Sequence, residues 1–354
     1  MRLSSDYLDS YAESFCARFF SDDVPKYVFG ANEYTSSIAK FVSLTGVIDT
    51  VSERESFQGT PVVPIDLVPD NALVVSIVAG KPLTAERKLS QYRFEHLDYF
   101  SFLKFSGVPL SPVQFQEGMR QDIEANQQKY ETVFASLGDE VSRNQMQNIV
   151  NFRLTNDLRH MRGFQAIEHL QYFEDFLDFE DSGEVFLDVG GFDGFTSREF
   201  LRLNPGYEAV HIFEPEPLNR LLAEENLLGY PNVHFHEMGL SDKKESLTFN
   251  SGGSASVISD SGDSSINVDR LDAVFGDRVT FIKMDIEGWE LPALRGASDT
   301  ILKNHPRLAV AAYHGVDDLW RIPELILGIR DDYRVFLRHY TEGICETVLF
   351  FVPR

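Results

Sequence analysis

Four polar residues stand at or near the ends of apolar runs of the size of β-strands. Asp188 lies within 185–195 (VFLDVGGFDGF), Glu214 follows 209–213, Asp285 follows 279–284, and His314 follows 308–313. Carboxylates in such places can take a hydroxyl proton or balance a cation, and an imidazole is the usual proton acceptor near neutral pH. The glycine pattern Asp188-x-Gly190-x-x-x-Gly194 differs from the Gly-x-Gly-x-x-Gly of dinucleotide sites, because an acid beside a pyrophosphate would repel it. An acid suits a cationic ligand instead. Glycines let the backbone approach a ligand with no Cβ in the way, and the helix start that follows favours an anionic group. S-adenosylmethionine (SAM) carries a sulfonium, an ammonium and a carboxylate, and fits such a turn. Asp188, Gly190 and Gly194 are therefore candidate cofactor residues, with Glu214 placed to accept both ribose hydroxyls.

The elements that position these residues can be counted from residue 184 onward. Strands are expected at 185–189, 209–213, 233–236, 279–284, 308–313, 334–337 and 347–352. Helices are expected over 195–203, up to Leu228, 289–303 and 319–329. Residues 245–270 form an insertion rich in Ser, Gly and Asp with short β-like pieces. The short link YTEGIC makes the last two strands antiparallel. Six parallel strands and one reversed strand are the class I methyltransferase arrangement. In an open α/β sheet the ligand lies across the carboxyl ends of the strands. That rule adds Gly239, Leu240, Ser241 and Asp242 as an adenine edge, His339 and Tyr340 after the sixth strand, and Glu346 and Thr347 at the start of the seventh. A lone strand-end acid is ordinarily a cap; the coincidence of a glycine loop, a ribose acid and further polar strand ends is what favours a SAM site.

His314 is the expected base, with Asp285 orienting it, holding the acceptor hydroxyl or stabilising the sulfonium. His339 is a second base candidate. Glu287 and Glu290 flank the expected start of the 289–303 helix, where acids stabilise the dipole, and Lys283 could pair with either. Asp285, Glu287 and His314 could also supply ligands for Mg²⁺. Nothing in their spacing demands a metal, and none is assigned.

Length and composition bound the rest. The 354 residues suffice for two or three domains, and 43% hydrophobic with 12% aromatic content suffices for real cores. A net charge of −23 excludes nucleic acid or an anionic membrane surface as an expected partner. No run approaches the roughly 18 apolar residues that span a bilayer, the N-terminus is polar and acidic, and Cys16 and Cys345 have no metal or disulfide spacing. A cytoplasmic protein without membrane insertion is expected.

Before residue 183 two further regions are expected. Residues 1–106 read as a smaller α/β Rossmann-like domain. It opens on an amphipathic helix over 1–23, with Tyr7, Leu8, Tyr11, Phe15 and Phe19 on one face. Strands follow at 26–30, 44–49, 62–65, 72–78 and 96–104, with a helix at 36–42. The glycine after its first strand and Asp49 at the end of its second stand where a nucleotide site would have them. A dinucleotide fingerprint has three glycines, however, so a nucleotide site and a structural or sugar-nucleotide-docking role both remain, the structural one preferred. Residues 107–182 read as a helical connector, with helices over 113–136, 140–154 and 164–179 and a stop and cap at Gly138-Asp139. An aromatic-bearing helix at Gln171, Tyr172 and Phe173 would cover the cofactor.

Residues 184–353, about half of the chain, resemble the FkbM family of SAM-dependent methyltransferases. The matching pieces are EVFLDVGGFDG, HIFEPEP, FIKMDIEGWELPALRGA, Tyr313-His314 and RHYTEGICETVLFFVP. The resemblance implies methyl transfer to a hydroxyl, commonly on a sugar or polyketide-like small molecule. The N-terminal unit is similar to domains that precede such modules in bacterial surface-polysaccharide proteins, which makes a sugar or nucleotide sugar the expected acceptor. Two other classes remain: a nicotinamide-dependent oxidoreductase, against which the missing glycines argue, and a non-catalytic SAM- or sugar-nucleotide-binding module.

Overall fold

Which apolar runs become strands is decided by what covers them. The computed structural model describes residues 1–21, 23–50, 54–250, 257–258 and 264–354, with the backbone alone at 249–250, 257–258 and 264. They fall into two units. The first comprises Met1–Asn126, Met146–Ile167 and Tyr340–Cys345; the second comprises Gln127–Gln145, Glu168–His339 and Glu346–Arg354.

The first unit begins with α1 (Ser10–Ser21), whose Phe15 and Phe19 are buried while Leu8 and Tyr11 are exposed. The helix thus starts later than the expected 1–23, and its apolar face is narrower. There follow β1 (Lys26–Phe29), α2 (Glu33–Ala39), β2 (Gly46–Ile48), β3 (Ser56–Phe57), β4 (Thr60–Val63), β5 (Leu73–Ser76), α3 (Pro82–Leu89), β6 (Glu95–Asp98), α4 (Tyr99–Phe105) and α5 (Met119–Ala125). The sheet order is β3-β4-β2-β1-β5-β6, parallel except for β3 against β4. The expected strand over 96–104 ends at Asp98, whose carboxylate accepts from the Ser101 N–H and caps α4. A cap that satisfies one of the four orphan N–H groups of a helix start favours a helix even where an apolar run continues.

In the second unit, α6 (Gln127–Ser136) is followed by α7 (Glu140–Thr155), which continues into the first unit. Asp139 caps α7 as expected, accepting from the Ser142 N–H at 2.7 Å. The expected helix over 113–136 is instead α5 and α6, divided at Asn126. The expected helix over 164–179 does not form; the segment holds single 3₁₀ turns at Glu168–Leu170 and Asp175–Leu177, and Tyr172 has φ +77°. Its aromatic spacing comes from a chain laid along a sheet. Phe173 and Phe179 pack on Phe281, and Phe176 stacks on Phe336 at 4.3 Å.

The remaining elements are β7 (Val185–Val189), α8 (Phe195–Leu203), β8 (Ala209–Phe213), α9 (Pro217–Asn226), β9 (Val233–His236), β10 (Gly239–Leu240), β11 (Glu245–Asn250), β12 (Val257–Ile258), β13 (Ser264–Asp269), α10 (Leu271–Val274), β14 (Phe281–Met284), α11 (Glu290–Gly296), α12 (Ser298–Asn304), β15 (Arg307–Ala311), α13 (Asp318–Ile329), β16 (Tyr333–His339) and β17 (Thr347–Pro353). Seven strands pair in the order β16-β17-β15-β14-β7-β8-β9, with β17 antiparallel to both neighbours. Every expected strand from 185 onward is present, and the last is the reversed one. All five residues of β7 are buried, as a central strand covered on both faces must be. The expected helix over 289–303 is split at Ala297 into α11 and α12. Gly296 sits in the break, where a Cβ would lie 1.9 Å from the Ser241 carbonyl oxygen. The insertion at 245–270 contributes β11, β12 and β13 to a small sheet ordered β10-β13-β11-β12; its residues 251–256 and 259–263 lie outside the described ones. Among the described residues no helix is long and apolar enough to cross a membrane.

Candidate functional site at the carboxyl edge of the seven-stranded sheet

Register places the first pair of charges. Lys283 of β14 stands opposite Asp188 of β7. On adjacent parallel strands such partners project from the same face. Their side chains form an ion pair at 3.1 Å, with Lys283 nearly and Asp188 wholly buried. Burial alone would push the Lys283 ammonium down, but the Asp188 charge outweighs it and holds the pKa above its ordinary value. Lys283 also donates to the Gly190 carbonyl at 2.6 Å, and Ser197 of α8 donates to Asp188 Oδ2 at 2.7 Å. Lys283 was expected to pair with Glu287 or Glu290; register gives it to Asp188. Asp188 correspondingly presents no open face to a ligand and braces the turn from below.

The turn itself is tight. Gly190 has φ +78°, and a Cβ there would stand 1.9 Å from the Asp285 carbonyl oxygen. Gly194 has φ +79° at the N-cap of α8. Glu214 ends β8 and is buried, with Oε2 accepting from the Phe192 N–H and Oε1 from the Glu216 N–H, each at 2.9 Å. Burial raises its pKa, and those two donors oppose the rise. Glu214 therefore ties the glycine loop to the β8–α9 turn. Asp242 lies apart, half-exposed and 3.9 Å from Arg295. Ser241 is buried and accepts from the Trp289 indole N–H at 3.3 Å.

A denser group forms at the ends of β14, β15 and β17, which are neighbours in the sheet. His314 Nδ1 is 2.9 Å from Glu290 Oε1. His314 Nε2 is 3.6 Å from Asp285 Oδ1 and 3.7 Å from Glu287 Oε2. Tyr172 donates to Asp285 Oδ2 at 2.6 Å, and Gln171 donates to Glu346 Oε2 at 2.8 Å. The Tyr313 hydroxyl lies 3.4 Å from Glu346 Oε1 and 3.5 Å from Asp285 Oδ1. Burial would lower the imidazole pKa, but the Glu290 charge and hydrogen bond, with Asp285 and Glu287 behind them, raise it to about 10. Burial pushes Glu287 up to about 7 against the pull of His314, and pushes Glu346 up to about 7 as well.

These geometries change two expectations. His314 was expected to be a neutral base; three facing carboxylates keep it protonated at neutral pH in the free protein. Glu290, read as a dipole-stabilising acid, does stand in the first turn of α11, yet it is buried against His314 and accepts from the Ile286 N–H. The structure brings Asp285, Glu287 and His314 together, with Glu346 beside them as the strand-end rule placed it, and adds Glu290. Glu290 was the hardest to read from sequence, because its approach to His314 depends on β15 lying beside β14, which no periodicity announces. The other base candidate, His339, pairs across β16–β17 with Thr347 Oγ1 at 2.9 Å.

Comparison with known proteins bears on this edge. The model of the methyltransferase FkbM domain matches residues 188–340, which spans the glycine loop, Glu214, Asp285 and His314. The crystal structure of methyltransferase FkbM from Methylobacillus flagellatus KT superposes with a TM-score of 0.79 at 23% identity, covering 97% of this chain and 94% of that one. The fold of the chain is therefore that of this structure, with the matched residues on a class I Rossmann-like sheet. An rRNA methylase from Streptococcus thermophilus aligns over 51% of this chain and 92% of its own, with a TM-score of 0.35 at 16% identity. Aeropyrum pernix fibrillarin, with natively bound S-adenosyl-L-methionine, aligns over 48% and 67%, with a TM-score of 0.33 at 10% identity. No curated protein matches the chain by sequence.

Proposed function

We propose that this methyltransferase uses SAM to methylate a hydroxyl of a sugar or related small molecule, with a cytoplasmic role in surface-polysaccharide synthesis. The observation that carries the reading is the sharing of one sheet edge: the glycine loop braced by Glu214 stands at the ends of β7 and β8, and the carboxylate–histidine group at the ends of β14, β15 and β17. On this reading 183–354 is the methyl-transfer domain. Residues 107–182 connect it to a Rossmann-like domain at 1–106 that contributes acceptor recognition. Gly190, Gly194 and Glu214 line the cofactor, Asp188 supports them, and Asp242 edges the adenine.

The sulfonium already activates the methyl group, so the protein's task is alignment and proton handling. The acceptor oxygen forms its bond to the methyl carbon as the carbon–sulfur bond breaks. Bound SAM would supply the methyl group and leave as a neutral thioether, the electron pair of the broken bond staying on its sulfur. The hydroxyl proton leaves to a carboxylate. Glu287, pushed by burial to about 7, has the affinity a base needs at neutral pH. Asp285, fixed by Tyr172, orients the acceptor, and His314 holds the group of acids in place.

Calorimetric titration with SAM and with NAD(P)H tests the cofactor. SAM should bind and the nicotinamides should not. Glu214→Ala, which removes the acceptor for the ribose hydroxyls, should weaken SAM by about 1–3 kcal/mol. Nicotinamide binding in place of SAM would favour an oxidoreductase. Incubation with nucleotide sugars and polysaccharide precursors, read by mass spectrometry as the gain of one methylene, identifies the acceptor; SAM binding without any such gain would favour a binding module.

A further inference from the structure

Asp285, His314 and Glu290 each offer a ligand atom, and the three atoms lie within 4.8 Å of one another. We propose that they bind a divalent cation of the Mn²⁺ or Mg²⁺ kind, with Glu287 as the nearest further oxygen. The role of the cation rests on the methyl-transfer reading: it would hold the acceptor hydroxyl beside the cofactor. Its binding does not rest on that reading.

Three observations carry the site. The first is an orphaned atom. Glu290 is 1% exposed, and its Oε2 is a buried carboxylate oxygen with no hydrogen-bond partner among the described residues. A buried charged oxygen without a donor is unfavourable unless paired or bound to a metal, and Glu290 already lies against His314 through its other oxygen.

The second is the direction of the imidazole. Nδ1 faces Glu290 Oε1 at 2.9 Å, which turns Nε2 toward Asp285 Oδ1 at 3.6 Å and Glu287 Oε2 at 3.7 Å. Two ligands held about 2.1 Å from one cation stand roughly 3.0–3.5 Å apart at ordinary coordination angles. The 3.6 and 3.7 Å spacings lie just outside that range, and the three ligand atoms, within 4.8 Å of one another, close inward on a bound cation.

The third is the local charge. Asp285, Glu287 and Glu290 face one imidazole, with Glu346 next to the adjoining Tyr313 hydroxyl, while the ammonium of Lys283 is committed to Asp188 and the Gly190 carbonyl. The ligands stand on rigid supports: Asp285 follows β14 and is tethered by Tyr172, Glu290 opens α11, and His314 follows β15. One nitrogen among carboxylate oxygens suits Mn²⁺, Mg²⁺ or Zn²⁺ rather than a soft, thiolate-seeking metal.

The test uses the full-length protein stripped with chelator and titrated with Mn²⁺, free ion being read by electron paramagnetic resonance. Saturable binding of a single Mn²⁺ per chain is expected, and pulsed measurements on the bound ion should show coupling to an imidazole ¹⁴N. Asp285→Asn and Glu290→Gln should each weaken binding by about tenfold or more, whereas Glu237→Gln, on the exposed surface, should not. Absence of saturable binding, or saturable binding without nitrogen coupling, overturns the site. The nitrogen coupling is read on the unaltered protein, so it decides the matter even where a variant folds poorly. SAM affinity is measured separately on the stripped protein. A protein that binds SAM but takes up no Mn²⁺ loses the cation site alone, and one that takes up Mn²⁺ but does not bind SAM loses the methyl-transfer reading alone.

Discussion

Lys283 and Asp188 show how much one buried pair can decide. Their charges meet at 3.1 Å with almost no water access, and Lys283 also holds the Gly190 carbonyl. Lys283→Met leaves an uncompensated carboxylate in the sheet, and its expected cost is about 3–5 kcal/mol. Adding Asp188→Asn should restore part of that loss, and chemical denaturation of the single and double variants measures both. Equal destabilisation by the single and double changes would deny the coupling. Tyr172 is the second residue whose part is specific. Tyr172→Phe keeps the buried ring and removes only the donor to Asp285, so a loss of about 1.5–3 kcal/mol is expected, with turnover falling as Asp285 loses its tether. Tyr172→Ala should cost more, about 3–5 kcal/mol, because it also opens a cavity. Full turnover in Tyr172→Phe would separate Asp285 orientation from this hydroxyl. At this scale the sequence announced strand-end acids but not their partners. Asp188 and Glu214 were legible because each ends or nearly ends an apolar run. The Lys283–Asp188 pair depends on which strands become neighbours, and strand order is a property of the finished sheet.

Elements were most legible where one periodicity acted alone. β7, α8, β8, β9 and the reversed β17 lie where their apolar runs and turns put them. The errors arose where local chemistry or tertiary packing prevailed. Asp98 starts a helix inside an apolar run, and the aromatic residues at 173, 176 and 179 match a sheet surface rather than a helix face. Asp139 shows the opposite case, a cap readable from sequence that acquires a tertiary partner. It caps α7 and meets Arg338 of β16 at 2.7 Å. Burial pushes this carboxyl up, yet the hydrogen bonds from Arg338 and Ser142 prevail and leave it at about 2, against an ordinary 3.8. A depressed folded-state pKa stabilises the protein above the unfolded value, and that contribution is lost as pH falls from about 4 through about 2. Asp139→Asn should thus be less stable than the parent near neutrality and show a shallower loss over that acid range. Parallel acid-unfolding curves for the two proteins would remove Asp139 from the linkage.

At the scale of the whole chain, the two units are built from interleaved segments rather than consecutive ones. The first unit takes in Met146–Ile167 and Tyr340–Cys345 besides the N-terminal residues. Phe152 packs edge-on against Phe100 with centroids 4.9 Å apart, and the buried Glu342 accepts from the Thr84 N–H at 2.6 Å and pairs with Arg87 at 2.9 Å. No composition shift could announce such returns, because the sequence shows where a segment begins and not which sheet it rejoins. Deleting residues 1–106 therefore strips partners from two segments that remain in the chain. It exposes Phe152 and leaves the Glu342 carboxylate without its donors. The residues proposed to hold the cofactor, Gly190, Gly194 and Glu214, all belong to the second unit and keep their described contacts. A chain beginning near Gly107 should therefore melt well below the full-length protein while its folded fraction binds SAM within a few-fold of the parent affinity, read by calorimetry at a temperature below both melting transitions. Acceptor methylation should fall further than SAM affinity if the removed domain recognises the acceptor. A shortened chain that is folded, by circular dichroism and a cooperative melt, yet fails to bind SAM would place part of the cofactor site in the first 106 residues and end the division proposed here.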